Sequence, residues 1–286
     1  MEVGIGLPAT VPGIERRALL DWARRAEERG FSSLGTLDRI VYPNYEPLIS
    51  LAAAAAVTER IRLTTDILIV PYRGVAAVLA KQAATLHHLS GGRLVLGVAV
   101  GRRPDDFQAA GVPMKGRGKR FEGMIDEMKR IWAGKERGHA GAIGPPVDGG
   151  PPLLIGGRVD AAFPRAARFG AGWTMGGGSP DQFRQAIDKL EGAWREAGRQ
   201  GEPRKVALAY FALGRNANED ADRYLLHYYD IGGADLARQI ASSAATDPET
   251  VKQYVDGFAQ AGADEFILFP CSTDPDQVDR LAEVAL

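Results

Sequence analysis

The sequence predicts a single (β/α)8 TIM barrel of the α/β class. Three observations carry this. Strand-like and helix-like segments alternate eight times along the chain. Several of the strands are nearly unbroken apolar runs, as in a parallel sheet covered on both faces. The length, 286 residues, suits one barrel with insertions better than one ordinary domain. An open doubly wound sheet is the rival, and it would carry a GxGxxG turn after the first strand. "GIGLPATVPG" is not such a turn. No second domain is visible.

The elements follow in order. Val3–Leu7 reads as a strand, and 14–29 as a helix in which Ile14, Ala18, Trp22 and Ala26 recur every four residues. Gly30 stops that helix, because glycine tolerates the left-handed conformation. "FSSLGTL" is the second strand and "EPLISLAAAAAVTE" the second helix; "IRLTTDILIV" is the third strand and 75–89 the third helix. "RLVLGVAV" is the fourth strand, followed by a helix over 119–132. "PLLIGG" and "GWTM" are short strands five and six, with "DAAFPRAARFG" a short helix between them. Pro164 either interrupts that helix or sits in its first turn.

Ser179, Pro180 and Gln182 form the clearest helix start in the chain: an N-cap, a proline at the first position, and the capping-box glutamine. Phe183, Ile187, Leu190 and Trp194 mark the buried face, and Gly198 ends the helix. "KVALAYFAL" is strand seven. A long helical region over 219–260 breaks near "IGGAD" and "ATDPE". "EFILF" is strand eight, and Pro275 starts a last helix with Val278, Leu281 and Val284 inward. Insertions are expected after strand four (134–152) and after strand seven (around 230–250).

Composition excludes several function classes. A net charge of −1 gives no footprint for a nucleic-acid or membrane partner. The one cysteine, Cys271, forbids an intrachain disulfide and a thiolate cluster. The N-terminal segment does not read as a signal peptide, and no run reaches the roughly 18 apolar residues of a membrane span. A cytoplasmic protein is the expectation. No His, Asp or Glu spacing suggests a metal site, and there is no G-x-S-x-G element. His87 and His88 sit late in a helix, where capping or packing is expected of them.

A barrel builds its active site at the C-terminal ends of its strands. The candidates are therefore Leu7–Pro8, Asp38–Arg39, Asp66–Ile67, Pro71–Arg73, Val100–Arg103 with Gly101, Gly156–Arg158, Gly176–Gly178, Tyr210 and Pro270–Ser272. The two glycine clusters, Gly156–Gly157 and Gly176–Gly178, each lie between a strand end and a helix start. Free backbone N–H groups and the helix dipole favour an anion there, with Arg158 adding a cation; tight turns alone are the competing reading. Asp38 is the candidate acid–base or orienting carboxylate, with Arg39 holding it ionised; a cap or a loop salt bridge is the alternative. Arg73 and Arg102 either attract an anion or are solvated rim charges. Tyr42 and Tyr45 either wall the site or pack the loop. Cys271 is expected to be a buried, inert thiol.

"LLIGGRVDAAFPRAARFGAGW" resembles the phosphate-binding segment of the luciferase-like flavin-dependent oxidoreductases. "LDRIVYPNYEPLISLAAAAAVTERIRLTTDILIVPYR" and the stretch from "AKQAATLHHLSGGRLVLGVAVGRR" to "RGKRFEGMIDEMKRIW" resemble the family's second to fourth βα units. The resemblance covers about residues 1–200. It implies a TIM barrel with FMN or coenzyme F-420 in its mouth. It also implies phosphate ligands at Gly156, Gly157, Gly176 and Gly177, and further cofactor contacts from Leu7, Asp66, Ile67, Val100, Gly101 and Arg158. It further implies a non-proline cis peptide or a bulge at Asp66–Ile67. The chain departs from the family in four places. It has Asp38–Arg39 where Asp-His is common, no Glu-His-His, Arg102 in place of a glutamate, and Val159 in place of a Ser or Thr. The implied activity is a monooxygenase using reduced FMN and O2 on a small organic substrate, with a separate flavin reductase. The alternatives are hydride transfer with coenzyme F-420 and a flavin-binding paralogue without turnover. A homodimer through the helices after strands two and three is also expected, since "LISLAAAAAV" is apolar on nearly every face.

Overall fold

The computed structural model describes residues 1–136 and 138–286. Eight parallel strands close into a barrel in sequence order: β1 (Glu2–Gly6), β2 (Ser33–Thr36), β3 (Arg62–Ile69), β4 (Leu94–Ala99), β5 (Leu153–Gly156), β6 (Gly172–Gly176), β7 (Arg204–Phe211) and β8 (Glu265–Pro270). Outside them run α1 (Arg16–Arg29), α2 (Pro47–Ala55), α3 (Ala76–Leu89), α4 (Pro104–Ala109), α5 (Arg117–Trp132) and α6 (Ala162–Phe169). The second half of the chain adds α7 (Pro180–Glu196), α8 (Ala217–Tyr228), α9 (Ala234–Ser242), α10 (Pro248–Gln260) and α11 (Asp276–Ala285).

The expected capping box of α7 is present, with both reciprocal bonds between Ser179 and Gln182. Pro164 sits in the first turn of α6, where its missing N–H costs no helix bond. The long helical region resolves into α8, a 3-10 turn (Asp230–Gly232), α9 and α10, broken at the two places expected. One element was not anticipated. Helix α4 is only six residues long, too short for periodicity to reveal it. Its cue is Pro104 at the first position with Asp105 and Asp106 in the first turn.

Alternation along the strands divides the core into two layers. Ile5, Leu34, Leu63, Leu96, Ile155, Trp173, Phe211 and Leu268 point outward against the helices. Leu154, Val206, Leu208, Tyr210, Ile267 and Phe269 cluster in the barrel interior. Glycines make room for the interior ring of Phe269: a Cβ on Gly6 would lie 2.4 Å from its Cδ1, and one on Gly35 2.7 Å from its Cζ. The N-terminal end is closed by charge. Glu265, nearly fully buried, is held by Arg62 at 3.1 Å and Arg204 at 2.9 Å, and Glu2 bridges the same two arginines. Burial opposes ionisation of Glu265, but Arg62, Ser32 and Arg204 outweigh it and hold its pKa below the ordinary value. A neutralised, tightly bonded floor leaves the C-terminal mouth as the end available for chemistry.

Candidate active site

The two glycine clusters lie at the ends of the adjacent strands β5 and β6. Gly157 has φ +146°, Gly177 +69° and Gly178 +108°, conformations that favour glycine. A Cβ on Gly156 would come within 2.9 Å of Ile67 Cδ1, so that strand end has no room for a side chain. Gly176 and Gly177, by contrast, face open space. Trp173 Nε1 donates to the carbonyl of Gly157 at 2.7 Å, which directs the N–H of Arg158, across the same peptide plane, the opposite way. Arg158 donates to Gln182 Oε1 at 2.9 Å and so bridges the first turn to the second.

Neither helix start offers a full set of free donors. The first N–H groups of α7 are served by its capping box, and those of α6 are taken by the preceding turn: Ala162 donates to the Val159 carbonyl at 2.8 Å, Phe163 to that of Asp160 at 3.4 Å, and Pro164 has no N–H. An anion at this corner therefore finds its donors in the loop N–H groups ahead of the helices. The expectation that both helix starts face one phosphate is narrowed accordingly.

Asp66 and Ile67 form the floor. The peptide between them is cis, and the β3–β4 register shifts between Thr65 and Leu68, as the resemblance implied. Asp66 is buried in the barrel. One carboxylate oxygen accepts from Thr174 at 2.8 Å, and the other has no hydrogen-bond partner among the described residues. Burial, with Glu265 adding a little, pushes the carboxyl up to about 7 despite the Thr174 hydroxyl. Leu7 packs between the strands and the helices, so only its backbone meets the rim. Val100 is half-buried, and Gly101, with φ +80°, takes the chain past Ile69, whose Cγ2 would lie 2.5 Å from a Cβ there.

The pairing expected around Asp38 is corrected by the structure. Arg39 does not hold Asp38; Arg73 does, and it also binds Glu46. The second oxygen of Asp38 accepts from Ile69 N–H at 2.8 Å. Burial pushes the Asp38 carboxyl upward, against the pull of Arg73. Arg73 is thus not a solvated rim charge: its side chain is only 16% exposed. Arg39 turns the other way, to Asp105 at 2.5 Å and Asp106 at 2.9 Å. Asp106 also accepts from the N–H groups of Ile40 and Val41 at 2.9 and 2.8 Å. Successive side chains on an extended segment point to opposite sides, which separates residues 38 and 39. Arg102 is exposed.

Of an aromatic cluster on the β7 side, sequence singled out only Tyr210 and Tyr42 and missed the rest. Tyr210 projects from β7, and Tyr224, Tyr228 and Tyr229 come from the end of α8. The Tyr210 and Tyr229 hydroxyls meet at 2.7 Å, and Tyr224 bonds Thr10 at 2.6 Å. Tyr42 packs edge-on against Tyr228 at 4.9 Å and bonds His227 at 3.1 Å, so it joins this wall. Tyr45 instead bonds the Ile14 carbonyl and packs the loop. "YLLHYY" carries an i,i+4 tyrosine pair that reads as an ordinary helix face; only the fold brings it over the mouth. Cys271 is buried, and burial pushes its thiol well above the ordinary value. Among the described residues no group of three or more His, Cys, Asp or Glu side chains is placed to hold a metal, and no helix is long and apolar enough to cross a membrane.

The sequence model for the family described as luciferase-like monooxygenase matches residues 1–284. The chain belongs to that family. Among curated relatives of this luciferase-like barrel, the uncharacterized protein Rv0940c of Mycobacterium tuberculosis is 34% identical over 207 residues, covering 62% of this chain and 71% of that one. The FMNH(2)-dependent dimethylsulfone monooxygenase of Pseudomonas fluorescens is 25% identical over 276 residues, covering 88% and 70%. Among solved structures, an F-420-dependent secondary alcohol dehydrogenase in complex with an F-420–acetone adduct superposes with a TM-score of 0.82 at 20% identity, covering 99% of this chain and 97% of that one. Luciferase-like family members of this kind are oxidoreductases, and the chain is an enzyme of that class.

Proposed function

We propose that this luciferase-like barrel binds a phosphate-bearing flavin, reduced FMN, and uses it with O2 to oxidise a small organic substrate. The observation that supports it is the corner formed by Gly156–Arg158 and Gly176–Gly178 beside the Asp66–Ile67 floor. The residues fit the group. The loop ahead of α6 supplies backbone N–H groups, Gly176 and Gly177 leave open space, and Arg158 has no carboxylate partner among the described residues. Gly156, Gly157, Gly176 and Gly177 hold the phosphate in this reading, and Ile67 and Val100 border the ring. When bound, the flavin supplies the redox chemistry. The chain does the rest: the glycine turns anchor, the Asp66–Ile67 floor supports, and the tyrosine wall excludes water. Asp38 and Arg39 act as positioning residues, each locking a rim loop through ion pairs. A separate reductase delivers reduced flavin, and the protein works as a homodimer through α2 and α3.

The second reading is hydride transfer with coenzyme F-420, favoured by the solved neighbour that uses it. One experiment separates the two. Titrating the protein with FMN and with coenzyme F-420, each followed by absorbance, should give saturable binding of FMN. Turnover should then require O2 and a reductase. Tight binding of coenzyme F-420 alone, with turnover independent of O2, establishes the second reading instead.

A further inference from the structure

The arginines at the mouth differ in how their charge is balanced. Arg73 has two carboxylates, Asp38 and Glu46, and Arg39 has two, Asp105 and Asp106. Arg103, also half-buried at the rim, has none among the described residues. Among the described residues its one hydrogen bond runs from Nη1 to the carbonyl of Tyr228 at 2.8 Å, a neutral acceptor. The nearby acids are already engaged: Arg39 takes Asp105 and Asp106, and Asp106 also serves two backbone N–H groups. The guanidinium lies over two tyrosine rings, 4.5 Å from the Tyr228 centroid and 4.9 Å from that of Tyr229. Those contacts favour a cation but do not neutralise it. Burial works against the Arg103 charge and Asp106 attracts it only from beyond ion-pair distance; a cation so placed is normally paired directly.

We infer that Arg103 is the recognition point for a substrate carboxylate whose apolar body lies against the tyrosine wall. The free Nε–Nη2 edge is the side-on fork of the guanidinium, and it matches the two coplanar oxygens of a carboxylate. The wall sets the rest of the substrate. The hydroxyls of Tyr42, Tyr210, Tyr224 and Tyr229 are already bonded to His227, to Thr10 and to one another. Tyr210, Tyr224 and Tyr228 are buried, so the ring surface open to a ligand is that of Tyr42 and Tyr229, which suits an aromatic or short aliphatic acid. This deepens the proposed function by naming a substrate class. It assigns the anion at Arg103 to the substrate because the flavin phosphate has its own donors after β5 and β6.

The test uses the intact protein and four probes: benzoate and hexanoate, with benzamide and hexanamide as neutral matches. Binding is followed by calorimetry and by tyrosine difference absorbance. The two acids should bind and the two amides should not. Arg103→Gln should weaken the acids by about 10–100-fold, the range of a charge-assisted hydrogen-bonded contact. Arg103→Lys should recover part of the loss. FMN affinity, measured separately, should not change in either variant. Acids and amides binding alike, no acid binding at 10 mM (a ceiling of about three kcal/mol), or acids binding Arg103→Gln as before would each overturn the inference. A loss of FMN or coenzyme F-420 affinity in Arg103→Gln would also overturn it, by assigning the charge to the cofactor. Should Arg103→Gln lose its fold by circular dichroism, the acid–amide comparison in the unaltered protein decides alone. Absence of all flavin binding would sink the proposed cofactor while leaving the acid–amide result standing.

Discussion

Arg158 donates to Gln182 across 2.9 Å, and this bond joins the glycine turn after β5 to the one after β6. Gln182 is at the same time the capping-box residue of α7, so one side chain both starts a helix and fixes the cation of the phosphate corner. Arg158→Met should therefore lower FMN affinity about tenfold through the lost charge-assisted contact, with little effect on stability. Gln182→Ala should do the reverse, costing about 1 kcal/mol of stability through the cap and less affinity. Equilibrium titration and urea unfolding of both variants check the split.

Gly177→Asp is the cleanest test of the phosphate corner. A side chain there meets nothing within 4 Å, and aspartate tolerates the left-handed φ of +69° better than most residues. The fold should survive while a carboxylate occupies the place of a phosphate. FMN affinity should fall at least about tenfold, since one like-charge contact in a half-buried site is worth more than 1.4 kcal/mol. Gly157→Asp should abolish binding too, but its Cβ would lie 2.9 Å from that of Ala162, so part of its effect is steric. Unchanged affinity for both cofactors in Gly177→Asp removes the assignment.

Asp66 gives the protein a particular pH dependence. Its folded carboxyl titrates near 7, against an ordinary value of 3.8. The native state thus holds a proton that the unfolded chain releases above about pH 4. The stabilisation is complete below pH 4 and declines as pH rises, with the loss finished just above 7. Asp66→Asn keeps the acceptor for Thr174 and removes the titration. Urea unfolding from pH 4.5 to 8 should show the wild type losing up to about 4 kcal/mol relative to the variant. A flat difference would mean that the carboxyl is ionised in the fold.

Asp38 and Arg73 should behave as a unit. Arg73→Met leaves the buried Asp38 carboxylate without its cation and should cost about 3–5 kcal/mol, whereas Asp38→Asn leaves Arg73 paired with Glu46 and should cost less; the double variant should cost less than the sum. Asp38→Asn can still accept from Ile69 N–H, which keeps the loop in register. A positioning role predicts parallel losses of turnover in the two single variants. Turnover down about 10²–10⁴ in Asp38→Asn alone would restore the acid–base reading.

A dimer through α2 and α3 would cover apolar side chains that the single chain leaves exposed. Ile49 is 70% exposed on α2, Ala52 and Ala56 are exposed near it in sequence, and Val75 and Val78 are more than half exposed at the start of α3. Ala53, by contrast, is partly covered. Ile49→Glu with Ala56→Glu should convert a dimer to a monomer in sedimentation at micromolar concentration. A monomeric parent, or an unchanged dimer in the variant, ends the proposal.

Much of the architecture is determined by sequence alone, because its causes are local. Apolar runs in alternation with amphipathic helices specify a parallel barrel, and Ser179-Pro180 with Gln182 specifies where α7 begins. The glycine turns are legible for the same reason: only backbone that must adopt positive φ or admit a close neighbour is so free of side chains. The cis peptide at Asp66–Ile67 came only through family resemblance, since nothing in those two residue types requires it. The partners of the rim charges were decided by tertiary structure. Asp38 meets Arg73, 35 residues away, and Arg39 meets Asp105, 66 residues away, because barrel closure brings the loops after β2, β3 and β4 to one rim. The tyrosine wall has the same origin. Tyr42, Tyr210 and Tyr228 share no local pattern, and they converge only where the end of α8 folds back over the mouth. Charge pairing and aromatic packing act over a few ångströms of space, and only the closed barrel determines which distant residues come that near.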